Sequence, residues 1–122
     1  MNLFDLRQVG AGRDCLRVEL VGLLSREGWP PTFDPFVETC GAEVYGLKVL
    51  ADLSRLTYLD SSGMGWIAVS NRRFRDAGGV LVLHSASRIT RQLLQLAHLD
   101  QALILVDDEA AARRAIAEAI PA

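Results

Sequence analysis

Cys15-Leu16-Arg17-Val18-Glu19-Leu20-Val21 alternates apolar and polar side chains up to Gly22, the period-two pattern of a strand with one solvated face. An earlier strand, Leu3 to Val9, is expected to pair antiparallel with it across Gly10-Ala11-Gly12. Gly28-Trp29-Pro30-Pro31 ends that pattern. Beyond it Phe33, Phe36, Val37, Cys40 and Val44 recur at helical spacing, with Thr32 as the expected N-cap. Leu47 to Leu53 is a largely apolar run ending at Asp52, as in a central strand covered on both faces. A short connection leads to Asp60-Ser61-Ser62-Gly63-Met64-Gly65 and a helix from about 62 to 77. That helix places Met64, Ile67, Asn71 and Phe74 on one face and Trp66, Val69 and Arg73 on another. Val80 to His84 reads as a strand, and Ser87 caps a helix whose Ile89, Leu93, Leu96 and Ala97 form the expected inward stripe. Ala102 to Val106 makes a last strand. Asp107-Asp108-Glu109 then opens a helix with negative charge at its positive end, burying Ala112, Ile116, Ala119 and Ile120. Strands alternating with helices predict an α/β sandwich: a mixed sheet of four to five strands, antiparallel at its first edge, with about four helices predominantly on one side.

The 122 residues are expected to form one domain, 1–122, without internal repeats. Thirteen basic and fifteen acidic side chains leave a net charge of -2, too balanced for the electrostatic attraction that nucleic-acid binding relies on. Cys15 and Cys40 give no disulfide framework, and no export signal opens the chain, so a cytoplasmic protein is expected. Apolar runs such as Ala102 to Val106 fall far short of the roughly 20 residues of a membrane span, which excludes direct membrane insertion through a helix. His84 and His98 lack companions at metal-ligand spacing, and there is no phosphate loop, so no metal or cofactor is expected. An enzyme is the least supported class. Asp60 and Ser61 could suggest nucleophilic catalysis, but the sequence places neither histidine near the turn as a base.

Asp52-Leu53-Ser54-Arg55-Leu56-Thr57-Tyr58-Leu59-Asp60-Ser61-Ser62-Gly63-Met64-Gly65 resembles the central signature of STAS domains, the family of bacterial anti-sigma factor antagonists. Gly78-Gly79 before Val80-Leu81-Val82-Leu83 is similar to the family's next turn and strand. Ser87 to Asp100, with Arg91, Leu93, Leu94 and Leu99, is similar to its following helix. The resemblance extends over roughly residues 14 to 106 and implies a STAS-like sandwich. It also implies a protein-binding module that docks on an anti-sigma factor serine kinase, releases a sigma factor, and is switched off by phosphate from the kinase's ATP. By the same resemblance the phosphorylated group is the first hydroxyl after the aspartate, Ser61, with Ser62 as second choice. A monomer or weak dimer is expected.

Each of these residues has a structural reading beside the functional one. Serine is a preferred N-cap, so Ser61 or Ser62 can simply hold the amides of Met64 or Gly65. Asp60 can orient the hydroxyl, accept its proton, or cap the helix. Gly63 and Gly65 admit either a close kinase loop or a closely packed strand. Trp66, Val69 and Arg73 suit a partner surface with Asp60, Ser61, Ser62, Gly63 and Met64, while Trp66 suits burial beneath the preceding helix equally well. Arg72, Arg73, Arg75, Arg88 and Arg91 cluster in two consecutive helices as a basic patch suited to a nucleotide phosphate or an acidic partner, with a solvated face as the plainer reading, above all for Arg75 and Arg88. Where the STAS pattern has glycine-glutamate-leucine-aspartate, this chain has Gly22-Leu23-Leu24-Ser25 and so lacks both carboxylates. That departure motivates an alternative function: a non-switching STAS subunit of a signalling scaffold or of a membrane lipid or anion transporter.

Overall fold

The computed structural model describes residues 3–12 and 15–118. Among the described residues six strands form one sheet: β1 (Phe4–Ala11), β2 (Leu16–Leu24), β3 (Lys48–Asp52), β4 (Leu56–Leu59), β5 (Val80–His84) and β6 (Ile104–Val106). The order is β1-β2-β3-β5-β6, antiparallel at β1-β2 and parallel elsewhere, with β4 alongside the far end of β2. Helices α1 (Pro35–Cys40), α2 (Ser61–Asp76), α3 (Arg88–Leu96) and α4 (Glu109–Glu118) complete the sandwich. This is the expected mixed α/β fold, with β4 standing where the sequence suggested a connection only.

The short β4 follows from how β2 is divided. Leu16 to Glu19 pair with β3, whereas Gly22 to Leu24 pair with β4. Gly22 is the point of exchange: its φ of 94° lies in the left-handed region, its amide donates to the Arg55 carbonyl at 3.0 Å, and a side chain there would run into the Leu3 carbonyl. One strand thus serves two neighbours in succession.

β3 and β5 lie at the centre, and Val49, Leu50, Ala51 and Val82 are fully buried. Side chains alternate between faces, so Val49 and Ala51 join the main core with α1, α2 and α3, while Leu50 and Val82 meet Ala112 and Ile116 of α4. Both faces of the central strands are therefore covered, as their apolar run predicts. Ala119 and Ile120, also expected to be buried, lie outside the described residues.

Four local expectations are corrected. Gly10 and Ala11 belong to β1, after a bulge between Gln8 and Gly10, and are not a turn. The cap of α1 is Asp34, not Thr32: its Oδ1 accepts from the amides of Phe36 at 3.0 Å and Val37 at 3.4 Å, with Pro35 in the first turn. The α1 helix also ends at Cys40, leaving Val44 buried in a separate 3-10 turn. In α3 the buried residues are Thr90 and Leu94, while Ile89 is 58% and Leu96 78% exposed. Thr90 can be buried because its amide and its hydroxyl both bond the Ser87 hydroxyl at 3.1 Å, which satisfies the polar group that argued against burial.

Candidate functional site

The Asp60 to Gly65 turn joins the end of β4 to the first turn of α2. Asp60 is the N-cap, with extended backbone (φ −95°, ψ −177°), and its Oδ1 accepts from the Gly63 amide at 2.8 Å. The same oxygen accepts from the Ser62 hydroxyl at 2.7 Å. The hydroxyls of Ser25 and Ser62 and the Gly63 amide together hold the Asp60 carboxyl down to about 2. A carboxylate so weakly basic is a poor proton acceptor, which favours capping over general-base work.

The two serines differ in kind. Ser62 Oγ also accepts from the Arg26 amide at 2.9 Å and lies 3.5 Å from Ser25 Oγ, tying the loop after β2 to the head of α2. Ser61 is exposed, and among the described residues its hydroxyl has no hydrogen-bond partner. It stands at the first position of a 16-residue helix, where backbone amides and the helix dipole favour added negative charge. The cap is therefore Asp60, and neither serine holds the amide of Met64 or Gly65 as the capping alternative had it: Ser62 braces the capping carboxylate, and Ser61 is left chemically available.

Gly63 is buried, and a Cβ on it would strike the carbonyl oxygen of Leu24. The same oxygen accepts from the Asp60 amide at 3.1 Å. Glycine at 63 thus permits the helix to seat against β2, whereas nothing lies within 4 Å of a Cβ on exposed Gly65. Met64 is half-buried and packs against the main core.

Trp66 belongs under the surface rather than on it. It is 6% exposed, stacks on Phe36 at 5.4 Å between centroids, and meets Phe4 and Trp29 edge-on at 5.8 and 5.7 Å. Val69 remains 48% exposed. The Arg73 guanidinium binds Asp34 Oδ2 at 3.2 Å, an oxygen that also accepts from the Tyr45 hydroxyl at 2.7 Å. Burial, the bond to Asp34 and that carboxylate's charge raise the Tyr45 pKa to about 12. Arg73 accordingly links α2 to the cap of α1, and its place two turns after Trp66 on the helix does not make a free apolar and basic patch. Arg75 and Arg88 are exposed, as expected of a solvated face, Arg72 is exposed as well, and Arg91 pairs with Asp107 at 3.1 Å.

Sequence reasoning missed a groove of about 710 Å³ beside the turn. Leu3, Leu23, Trp29, Pro30, Phe33 and Tyr58 line its apolar part, and Ser25, Glu27 and Asp60 its polar part. The available signal was Tyr58, an aromatic in a connection too short to bury it, opposite Leu23 in the register of β2 and β4. Among the described residues no cluster of histidine, cysteine, aspartate and glutamate is arranged to hold a metal, and no helix is long and apolar enough to cross a membrane.

A family model described as Mlab, STAS domain matches residues 8–107. A Thermotoga maritima protein provisionally described as an anti-sigma factor antagonist superposes with a TM-score of 0.73 at 19% identity, over 95% of this chain and 96% of that one. The unphosphorylated anti-sigma factor antagonist SpoIIAA superposes with a TM-score of 0.59 at 20% identity, over 98% and 99% of the two chains. The phosphorylated form of the Bacillus cell fate determinant SpoIIAA gives 0.57 at 24% identity, over 92% of this chain and 98% of that one.

Proposed function

The chain belongs to the STAS domain family, a family of binding modules, and on that premise we propose that it is a cytoplasmic anti-sigma factor antagonist controlled by phosphorylation of Ser61. Unphosphorylated, it docks through the turn at Asp60, Ser61, Ser62, Gly63 and Met64 on an anti-sigma factor serine kinase, and so releases a sigma factor. The kinase then directs the Ser61 hydroxyl oxygen onto the terminal phosphorus of its own ATP. The new oxygen–phosphorus bond forms, the bond to ADP breaks, and the hydroxyl proton leaves to a base of the kinase. Phosphate adds about -1.5 to -2 charges, which the amides at the head of α2 accommodate and a partner fitted to a neutral hydroxyl does not. Docking is then lost.

The observation that carries this reading is the contrast between the exposed, unengaged Ser61 hydroxyl and the hydroxyl of Ser62, bonded to Asp60 and Arg26. Its support from known proteins is the STAS match itself and the existence of SpoIIAA in both unphosphorylated and phosphorylated forms. The test is incubation with candidate anti-sigma factor kinases and ATP, followed by mass spectrometry. Phosphate is expected on Ser61, Ser61→Asp is expected to weaken docking, and Ser61→Ala to preserve it. Absence of phosphate on either serine, or equal pull-down of both variants, removes the mechanism.

A second reading rests on the replacement of two expected carboxylates by Leu23 and Ser25. A constitutive STAS subunit of a signalling scaffold or of a membrane lipid or anion transporter needs an apolar contact more than a kinase site. Co-purification of a stable complex indifferent to replacement of Ser61 selects that reading.

A further inference from the structure

We propose that α4 is a detachable cover over the back of the sheet, released when His84, buried beside its first turn, takes up a proton. The inference concerns the face opposite α1, α2 and α3 and is independent of phosphate on Ser61.

Strand alternation puts His84 on the side that α4 covers. In β5 the side chains of Leu81 and Leu83 enter the main core, whereas Val82 meets α4, so His84, two residues further on, shares the α4 face. The register sets Glu19, Asp52, His84 and Val106 in one row across β2, β3, β5 and β6. Charged groups reach the imidazole from Arg17 of β2, from Asp52 of β3, and from Asp108 and Glu109 at the head of α4. Its Nδ1 lies 2.8 Å from the Ser85 hydroxyl, so a neutral ring is satisfied in place.

Little else holds the helix down. It is rich in alanine, and of its side chains Ala112 and Ile116 are the buried ones, against Leu50 and Val82. Ile116 is thus its one large apolar anchor. The polar ties gather at one end: the Ser85 amide donates to the Asp107 carbonyl at 3.2 Å, and Arg17 Nε donates to Glu109 Oε1 at 3.1 Å. Asp107 and Asp108 alone separate β6 from α4 and form the hinge.

A neutral imidazole suits this setting and a charged one does not. Burial opposes the imidazolium more than Asp52, Glu109 and Asp108 favour it, and Arg17 opposes it further. With α4 lifted, His84 meets water and regains an ordinary affinity for protons. Below pH 6.5 the open form therefore binds a proton that the covered form refuses, and opening becomes easier. Above it both forms are neutral, and the cover is at full strength. Opening bares Leu50 and Val82 together with Cys15 and Val106, which pack against the same cluster.

The test is peptide-resolved hydrogen exchange of the full chain at about pH 7.5 and about pH 5.5, on either side of the histidine range, corrected for intrinsic exchange rates. Protection of α4 is expected to fall toward acid by up to about tenfold, the limit for a group of free pKa about 6.5 that stays neutral when covered, while protection of α2 falls less. His84→Gln is expected to keep α4 protected at the higher pH and to lose the acid response. Glu109→Gln removes the tie to Arg17 but leaves the imidazole, so α4 is expected to exchange faster at both pH values with the acid response retained. No acid-dependent loss in α4, an equal loss in α2, or an undiminished response in His84→Gln overturns the proposal. The contrast between α4 and α2 in the parent chain decides even where His84→Gln does not fold. Phosphorylation of Ser61 is read separately by mass spectrometry, so either idea can fail alone.

Discussion

Asp60 receives the Ser62 hydroxyl at 2.7 Å through the same oxygen that caps the Gly63 amide at 2.8 Å. That arrangement assigns stability to one serine and availability to its neighbour. Ser62→Ala breaks the bond to Asp60 and leaves the Arg26 amide without its side-chain acceptor, at an expected cost of about 1 kcal/mol. Ser61→Ala is expected to change stability by less than about 0.5 kcal/mol. Urea unfolding of the two variants measures the contrast, and equal losses would contradict the division of labour between them.

Gly63 and Gly65 make a second contrast within one turn of α2. A methyl group at 63 collides with the Leu24 carbonyl, which is fixed backbone and is engaged by the Asp60 amide, so Gly63→Ala is expected to cost about 2 kcal/mol or more. At 65 the space is open and the backbone helical, so Gly65→Ala is expected to stabilise by up to about 1 kcal/mol through helix propensity. Thermal unfolding midpoints moving in opposite directions are the readout. A fall in both would show that the second glycine also serves close packing.

The central strands were legible because burial on both faces leaves an uninterrupted apolar run, and β3 and β5 appear where Leu47 to Leu53 and Val80 to His84 place them. The head of α2 was legible from its aspartate, serines and glycine. What escaped was decided by partners distant in sequence. Leu56 to Leu59 becomes a strand because Gly22 hands β2 from one neighbour to another, an event that no local periodicity records. Trp66 was equally compatible with core and surface until Phe4, Trp29 and Phe36, from three separate segments, closed over it. The stripe of α3 was misphased because Thr90 counts as polar in a pattern but is satisfied by the Ser87 hydroxyl in the fold.

Arg73 and Asp34 predict unequal losses from one ion pair. Asp34→Ala removes the cap of α1, the acceptor of the Tyr45 hydroxyl and the partner of Arg73 together, at an expected cost of about 2 kcal/mol. Arg73→Ala removes a guanidinium whose side chain is 57% exposed, and the expected loss is below about 1 kcal/mol. A double-mutant cycle with Tyr45→Phe apportions the network. If Arg73→Ala instead abolishes partner docking while stability is unchanged, the arginine acts at the interface as well as in the clamp.

His84 at the end of β5 supplies a pH dependence. It is 3% exposed, and its Nδ1 lies 2.8 Å from the Ser85 hydroxyl, on a residue held at a left-handed φ of 61°. Burial lowers its pKa below 6.5, and this outweighs the opposing pull of Asp52, Glu109 and Asp108, while Arg17 lowers it further. As pH falls below 6.5 the unfolded chain takes up a proton that the folded chain still refuses, so stability is lost until the folded imidazole itself titrates. Above 6.5 both states are neutral at this site, and its contribution no longer changes with pH. Unfolding free energy measured between about pH 5 and 8, the range in which histidine titrates, is therefore expected to decline toward acid in the parent chain and more shallowly in His84→Gln. Identical slopes in the two proteins would place the proton uptake elsewhere and remove His84 from the account.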